Sequence, residues 1–115
     1  MSYVDGFLAA VPAQNRTDYV RFAQEAGTIF KEHGALSVVD CWGDDVPDGK
    51  VTSMPLAVKR QSDEMVVLGW VTWPSKDARN AGMAKVMEDP RMRDSHMPFD
   101  GQRMIFGGFE IISSL

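Results

Sequence analysis

Four short apolar segments, each bounded by glycine, proline or polar residues, stand out along the chain. Segments of this length that are rich in aromatic and β-branched residues are typical of β-strands. The predicted strands are residues 3–11, 35–42, 65–73 and 103–112. Residues 54–60 are ambiguous, because a short helix and an extension of a strand fit them equally well.

Two segments between these strands show a helical pattern. Apolar residues recur every three or four positions from Tyr19 to Phe30, which predicts a helix that begins after an Asn15 N-cap and ends at Gly34. A second helix is predicted from a Ser75 N-cap to about Glu88, where a proline two residues on stops it.

The order of these elements, β-α-β-β-α-β, is that of a ferredoxin-like α+β fold. It predicts a four-stranded antiparallel sheet in the order 4-1-3-2, with both helices on one face. Strands one, three and four, however, carry apolar residues at both alternating sets of positions. Both faces of the sheet therefore need to be buried, and two helices cover only one.

The missing cover is predicted to be a second copy of the chain, which would make a homodimer through sheet faces. The alternative is a monomer in which residues 43–64 and 91–102 fold across the second face.

Composition limits the chain to a few classes of protein. Its 115 residues fit one domain, residues 1–115, and 12 Lys and Arg against 16 Asp and Glu give a formal charge of −4. This charge argues against nucleic acid as a partner. The longest apolar segment, residues 65–73, is too short to cross a bilayer, and the N-terminus does not resemble a signal peptide, so we expect no membrane association and a cytoplasmic protein.

Three acidic residues, Asp5, Asp40 and Glu110, lie inside predicted strands. A buried carboxylate is costly unless it is paired, so each is a candidate pocket residue. Strands one and four are predicted neighbours, so Asp5 and Glu110 are candidates for an acid–base pair. The alternative is structural: these acids pair with Arg103 or Lys59 and fix the packing.

Three further residues complete the candidate pocket: Trp70, His96 and Arg103. An indole stacks on aromatic ligands, although it more often anchors a core or an interface. His96 lies in an irregular segment and has the usual chemistry of a proton shuttle. The chain has no paired His or Cys spacing typical of a metal site, and we expect neither a metal nor a cofactor.

Several blocks of sequence resemble the YbaA-like family of small bacterial proteins of unassigned function. They are residues 3–7, 33–36, 44–47, 80–87, 97–101 and 103–110. The resemblance implies a dimeric α+β barrel, a class that includes cofactor-independent monooxygenases and haem-degrading enzymes, and it implies no particular activity.

The sequence therefore favours a small dimeric protein with a site between sheet and helices for an apolar or aromatic metabolite, with any chemistry there needing no cofactor. It leaves open whether the protein is an enzyme. The alternative is a non-catalytic dimeric binding or accessory protein.

Overall fold

The computed structural model describes residues 2–115. Its main elements are β1 (Tyr3–Pro12), α1 (Arg16–Glu32), β2 (Ser37–Trp42), α2 (Met54–Ala57), β3 (Glu64–Trp73), α3 (Lys76–Glu88), α4 (Pro90–Arg93) and β4 (Ile105–Glu110). Two short 3₁₀ turns, Ala13–Asn15 and Gly101–Arg103, precede α1 and β4. No helix among these residues combines the length and the apolar character that crossing a membrane requires.

The four strands form one antiparallel sheet in the order β2-β3-β1-β4. This is the strand order that the element sequence predicted. β2 and β4 are its two edges and do not pair with each other, so the chain is an α+β structure with an open sheet and not a closed barrel.

One face of the sheet, which we call the helix face, packs against α1 and α3. Two clusters of buried side chains form the core there. The first surrounds Trp73 and includes Tyr3 and Val71, with Phe30 of α1 packed against it. The second contains Ala9, Val11, Val67 and Tyr19. The strand residues in both clusters have odd numbers in β1 and β3, which explains why this parity is apolar in both strands apart from Asp5.

The opposite face, which we call the open face, is only partly covered. At one end, Val46 and the fully buried Val58 pack on Ala10 and Val66. Beyond this cover, three large side chains remain exposed on the open face: Leu68 at 38%, Ile105 at 42% and Phe109 at 59%. The 43–64 segment thus covers one end of the second face, as the monomer alternative predicted. The 91–102 segment does not, because Phe99 packs against Tyr19 and Phe22 on the helix side.

The structure tests the predicted helix caps and element boundaries. Ser75 caps α3 as predicted, since its hydroxyl oxygen accepts a hydrogen bond from the Ala78 N–H at 3.0 Å. Asn15 precedes α1 but its side chain makes no cap; it donates to the Pro98 carbonyl oxygen at 3.0 Å instead. The predicted second strand begins two residues late, at Ser37, because residues 33–36 are used to leave the helix through Gly34, whose φ is +109°.

The fourth strand is shorter than the predicted 103–112, because the 3₁₀ turn at Gly101–Arg103 delays its start and pairing ends at Glu110. Gly107 and Gly108 inside this strand pair with β1 without a bulge. Gly108 lies close to Tyr3, since a Cβ on Gly108 would lie 2.5 Å from the Tyr3 hydroxyl oxygen.

Candidate functional site

The register places all three strand acids on the helix face. Asp5 lies between Tyr3 and Phe7 on one side of β1, Glu110 pairs with Tyr3, and Asp40 of β2 faces α1. The predicted Asp5–Glu110 pair thus shares a face, but the two residues differ in surroundings. Glu110 is exposed at the end of the edge strand β4, whereas the side chain of Asp5 is only 13% exposed and forms an ion pair.

Asp5 has two strong partners. One carboxylate oxygen accepts from the indole N–H of Trp73 at 2.9 Å, and Arg79 of α3 binds both oxygens at 2.8–3.2 Å. Neither Arg103 nor Lys59, the partners that the structural alternative suggested, takes part. The Arg79 guanidinium also lies 5.3 Å from the Tyr3 ring centre. This arrangement attaches α3 to the sheet and leaves neither Asp5 oxygen unpaired.

Arg103 also binds carboxylates, but those of other residues than Asp5. Two of its nitrogens bind the two carboxylate oxygens of Glu64, each at 2.7 Å, and a third binds Asp100 at 3.0 Å. Hydrogen bonds from Arg103 lower the pKa of Glu64, more than burial raises it. Arg103 also donates to the Lys59 carbonyl oxygen, so it holds the segment before β3 against the segment before β4. Sequence reasoning missed Glu64, the one buried charged residue within residues 2–115.

Trp70 and His96 do not join the acids. Trp70 lies half-buried on the open face, on the opposite side of the sheet, together with Val66 and Leu68. His96 is exposed in the segment between α4 and β4. The six predicted pocket residues therefore do not form one pocket.

Asp40 is the predicted acid that faces a cleft. The Tyr19 hydroxyl of α1 donates to Asp40 Oδ1 at 2.7 Å. The other oxygen, Oδ2, makes no hydrogen bond within residues 2–115, and none of their side-chain nitrogens or oxygens is both buried and unpaired. Oδ2 is therefore accessible from outside.

The environment changes the acidity of both groups. Partial burial raises the pKa of Asp40, and the hydrogen bond from Tyr19 opposes that rise. Burial, and secondarily the adjacent Asp40 carboxylate, raises the pKa of Tyr19. Tyr19 therefore stays protonated as a donor, while Asp40 is a stronger proton acceptor than an ordinary aspartate.

The cleft that exposes Asp40 lies between α1 and the edge strand β2, and we call it the α1–β2 cleft. Its volume is about 680 Å³. Ala23 and Gly27 of α1 and Val38 of β2 line this cleft, and a Cβ on Gly27 would lie 3.6 Å from Val38. Trp42 forms an aromatic wall, with its ring centre 6.4 Å from that of Tyr19. The helical periodicity marks Tyr19 only as an apolar position of α1, and no local signal in the sequence indicates its hydrogen bond to Asp40.

A second polar cluster joins the end of α1 to α4. His33 Nε2 lies 3.1 Å from Asp89 Oδ2, and Arg91 binds both Asp89 and Glu32. Hydrogen bonds from Arg91, and next from His33, lower the pKa of Asp89. A smaller cleft of about 360 Å³ adjoins Arg91. Every charged group of this cluster is paired, so it is suited to holding α4 in place. Across residues 2–115, no three His, Cys, Asp or Glu side chains are grouped as metal ligands would be.

Comparison with known proteins places the chain among relatives without an assigned role. The family described as "Protein of unknown function (DUF1428)" matches residues 2–101. The chain is 54% identical over 114 residues to "Uncharacterized protein YbaA" of Escherichia coli strain K12, with 97% of each chain covered. The same figures hold for the proteins of that name in Escherichia coli O157:H7 and Shigella flexneri. The resemblance to the YbaA-like family is thereby confirmed.

Proposed function

Since the chain belongs to the DUF1428 family of proteins of unknown function, we propose a function from its own residues: it binds a small aromatic metabolite in the α1–β2 cleft and exchanges a proton with it without a cofactor. The observation that supports this is Asp40, which lines a cleft of about 680 Å³ and has one carboxylate oxygen, Oδ2, without a hydrogen-bond partner within residues 2–115. That volume is typical of small-molecule sites, which hold roughly 300–1,000 Å³.

The chemistry assigned to the site is proton transfer. The Tyr19 hydroxyl fixes the orientation of the Asp40 carboxylate through Oδ1. A hydroxyl group of the ligand donates to Oδ2, and its proton moves to Oδ2 when the ligand anion forms. The raised pKa of Asp40 favours this transfer, because a stronger base competes better for the proton. Trp42 supplies the face on which the aromatic ring of the ligand stacks.

Binding of 4-methylphenol, measured by calorimetry, tests the proposal. In Asp40→Asn the amide keeps an acceptor for Tyr19 but presents a donor to the cleft, so we expect roughly tenfold weaker binding. Glu110→Gln is the matched control, because it neutralises an exposed acid on the same face and leaves the affinity unchanged. Absence of binding to the natural chain, or equal losses in both variants, would contradict the proposal.

The protein is also proposed to be a cytoplasmic homodimer of one ferredoxin-like domain, paired through the open faces of two sheets as a dimeric α+β barrel. Supporting this are the element order, the strand order and the exposed apolar side chains of Leu68, Ile105 and Phe109. Contiguous apolar surface of this kind marks an interaction site. A second copy is the partner that supplies an equal apolar face.

Sedimentation velocity and native mass spectrometry test the dimer. Phe109→Glu places a charge on the open face, and we expect the dimer to dissociate. Met87→Glu is the control, because Met87 is equally exposed at 59% but lies on α3, away from the open face. A monomeric natural chain at micromolar concentration, or a dimer that Phe109→Glu leaves intact, would refute the interface.

A second candidate function is a non-catalytic dimeric accessory protein. The observation that favours it is Asp5, whose two oxygens are used entirely by Trp73 and Arg79. If Asp40 has the same kind of role, Asp40→Asn lowers stability and leaves the affinity for 4-methylphenol unchanged. The net charge of −4 gives no support to nucleic acid as a partner.

A further inference from the structure

Arg16 stands at the first residue of α1 and lines one end of the α1–β2 cleft. Its guanidinium carbon lies 5.3 Å from the ring centre of Trp42. Three other arginines, Arg79, Arg91 and Arg103, bind carboxylates closely through two or more hydrogen bonds. Arg16 has no ion pair within residues 2–115, so its N–H groups are available to a ligand.

The charge of the cleft is opposite to that of the chain. Arg16 and Lys31 line it, and Asp40 is the one acidic residue in its lining. The chain as a whole has a net charge of −4. The two cations are therefore the groups of the lining to which an anion is attracted.

The distance between Arg16 and Lys31 decides which of the two cations binds the anion. Lys31 lies in the last turn of α1, roughly 22 Å from Arg16 along the helix axis at 1.5 Å per residue, which exceeds the length of a single-ring ligand. Arg16 and Tyr19 both lie against the same indole, that of Trp42. A ligand whose ring takes the place of the Arg16 guanidinium over Trp42 therefore has Arg16 and the Tyr19–Asp40 pair as its polar neighbours.

We infer that the ligand is a hydroxylated aromatic carboxylic acid, held by its carboxylate on Arg16, by its ring on Trp42 and by its hydroxyl on Asp40. The planar guanidinium fork binds a carboxylate through two parallel hydrogen bonds, which a lysine does not. This inference rests on the proposed function of the cleft and adds the chemical class of its ligand.

Calorimetry with 4-hydroxybenzoate and 4-methylphenol tests the inference, because the two probes share a ring and a hydroxyl group and differ in the carboxylate. The natural chain is expected to bind 4-hydroxybenzoate at least tenfold more tightly. Arg16→Gln is expected to remove this preference, so that the two probes bind with similar affinity, while Arg16→Lys keeps part of it. Arg21→Gln is the matched control: Arg21 lies on the same helix, outside the cleft, with its side chain 68% exposed.

The outcomes separate the inference from the function on which it rests. If the natural chain binds both probes equally, or if Arg16→Gln and Arg16→Lys keep the full preference, the aromatic-acid assignment is wrong and the cleft function stands. If neither probe binds, both are wrong. Thermal unfolding of each variant checks that it is folded. If Arg16→Gln is unfolded, Arg16→Lys serves as the test, because it retains the positive charge beside Trp42.

Discussion

Replacement of Asp5 by alanine tests whether this strand acid holds the fold together. The change removes the acceptor of the Trp73 indole N–H, and Trp73 has no exposed surface. A buried donor left without a partner costs about 1–3 kcal/mol. Arg79 also loses its carboxylate, but its side chain is 25% exposed and regains water, so this loss adds about 1 kcal/mol.

The expected total is about 2–4 kcal/mol, a large part of the roughly 5–15 kcal/mol that stabilises a typical domain. At about 4 °C per kcal/mol this lowers the Tm by roughly 8–16 °C. Asp5→Asn keeps an acceptor for Trp73 and loses the charge, so we expect about half this effect. Urea unfolding followed by tryptophan fluorescence measures each free energy of unfolding.

Asp18→Ala is the control for the loss of a surface ion pair. Its side chain is 64% exposed and lies 3.7 Å from Arg21, so its loss changes stability by less than about 0.5 kcal/mol. If Asp5→Ala costs no more than Asp18→Ala, the structural role of Asp5 is refuted. A weaker affinity for 4-methylphenol in a folded Asp5→Asn would place Asp5 in the binding site instead.

Two further predictions concern packing and pH. A Cβ on Gly82 would overlap the Trp73 ring, so Gly82→Ala is expected to lower the urea midpoint of unfolding. The nearest contact of a Cβ on Gly27 is 3.6 Å, so Gly27→Ala is expected to raise the free energy of unfolding by up to about 1 kcal/mol. A stabilising Gly82→Ala together with a destabilising Gly27→Ala would refute this packing. The Arg103 hydrogen bonds lower the pKa of Glu64, so their stabilisation is complete above the ordinary glutamate pKa and is lost as the pH falls through the lower folded value. Stability measured between pH 7 and pH 2 is expected to fall less steeply in Glu64→Gln, and an unchanged slope would contradict this.

The strand pattern was predictable because apolar side chains at both parities leave a physical signature. Residues 65–73 carry apolar side chains on both faces, and the structure buries Val67 and Val71 under helices and leaves Leu68 exposed. Which parity faces the helices was not predictable, because it depends on how α1 docks. For that reason Trp70 and Asp40 were grouped in one pocket although they lie on opposite sides of the sheet.

The hydrogen-bond partners of the strand acids could not be predicted from the sequence either, because each partner lies in a distant element of the chain. Asp5 finds Arg79 across 74 positions of the chain, and Glu64 finds Arg103 across 39. A helical periodicity marks Tyr19 as a core residue, but it does not identify the hydrogen-bond partner of the Tyr19 hydroxyl. Only the docking of α1 beside β2 brings that hydroxyl to Asp40.

The use of carboxylate oxygens separates the structural acids from the candidate functional one. Both oxygens of Asp5 and both oxygens of Glu64 accept hydrogen bonds from the protein, so neither can bind a ligand without losing a packing contact. Asp40 has one oxygen fixed and one open to the α1–β2 cleft. A carboxylate that is oriented but not saturated retains a proton-accepting position that no hydrogen bond of the fold uses, which is why the proposed chemistry is assigned to Asp40 and not to the more buried acids.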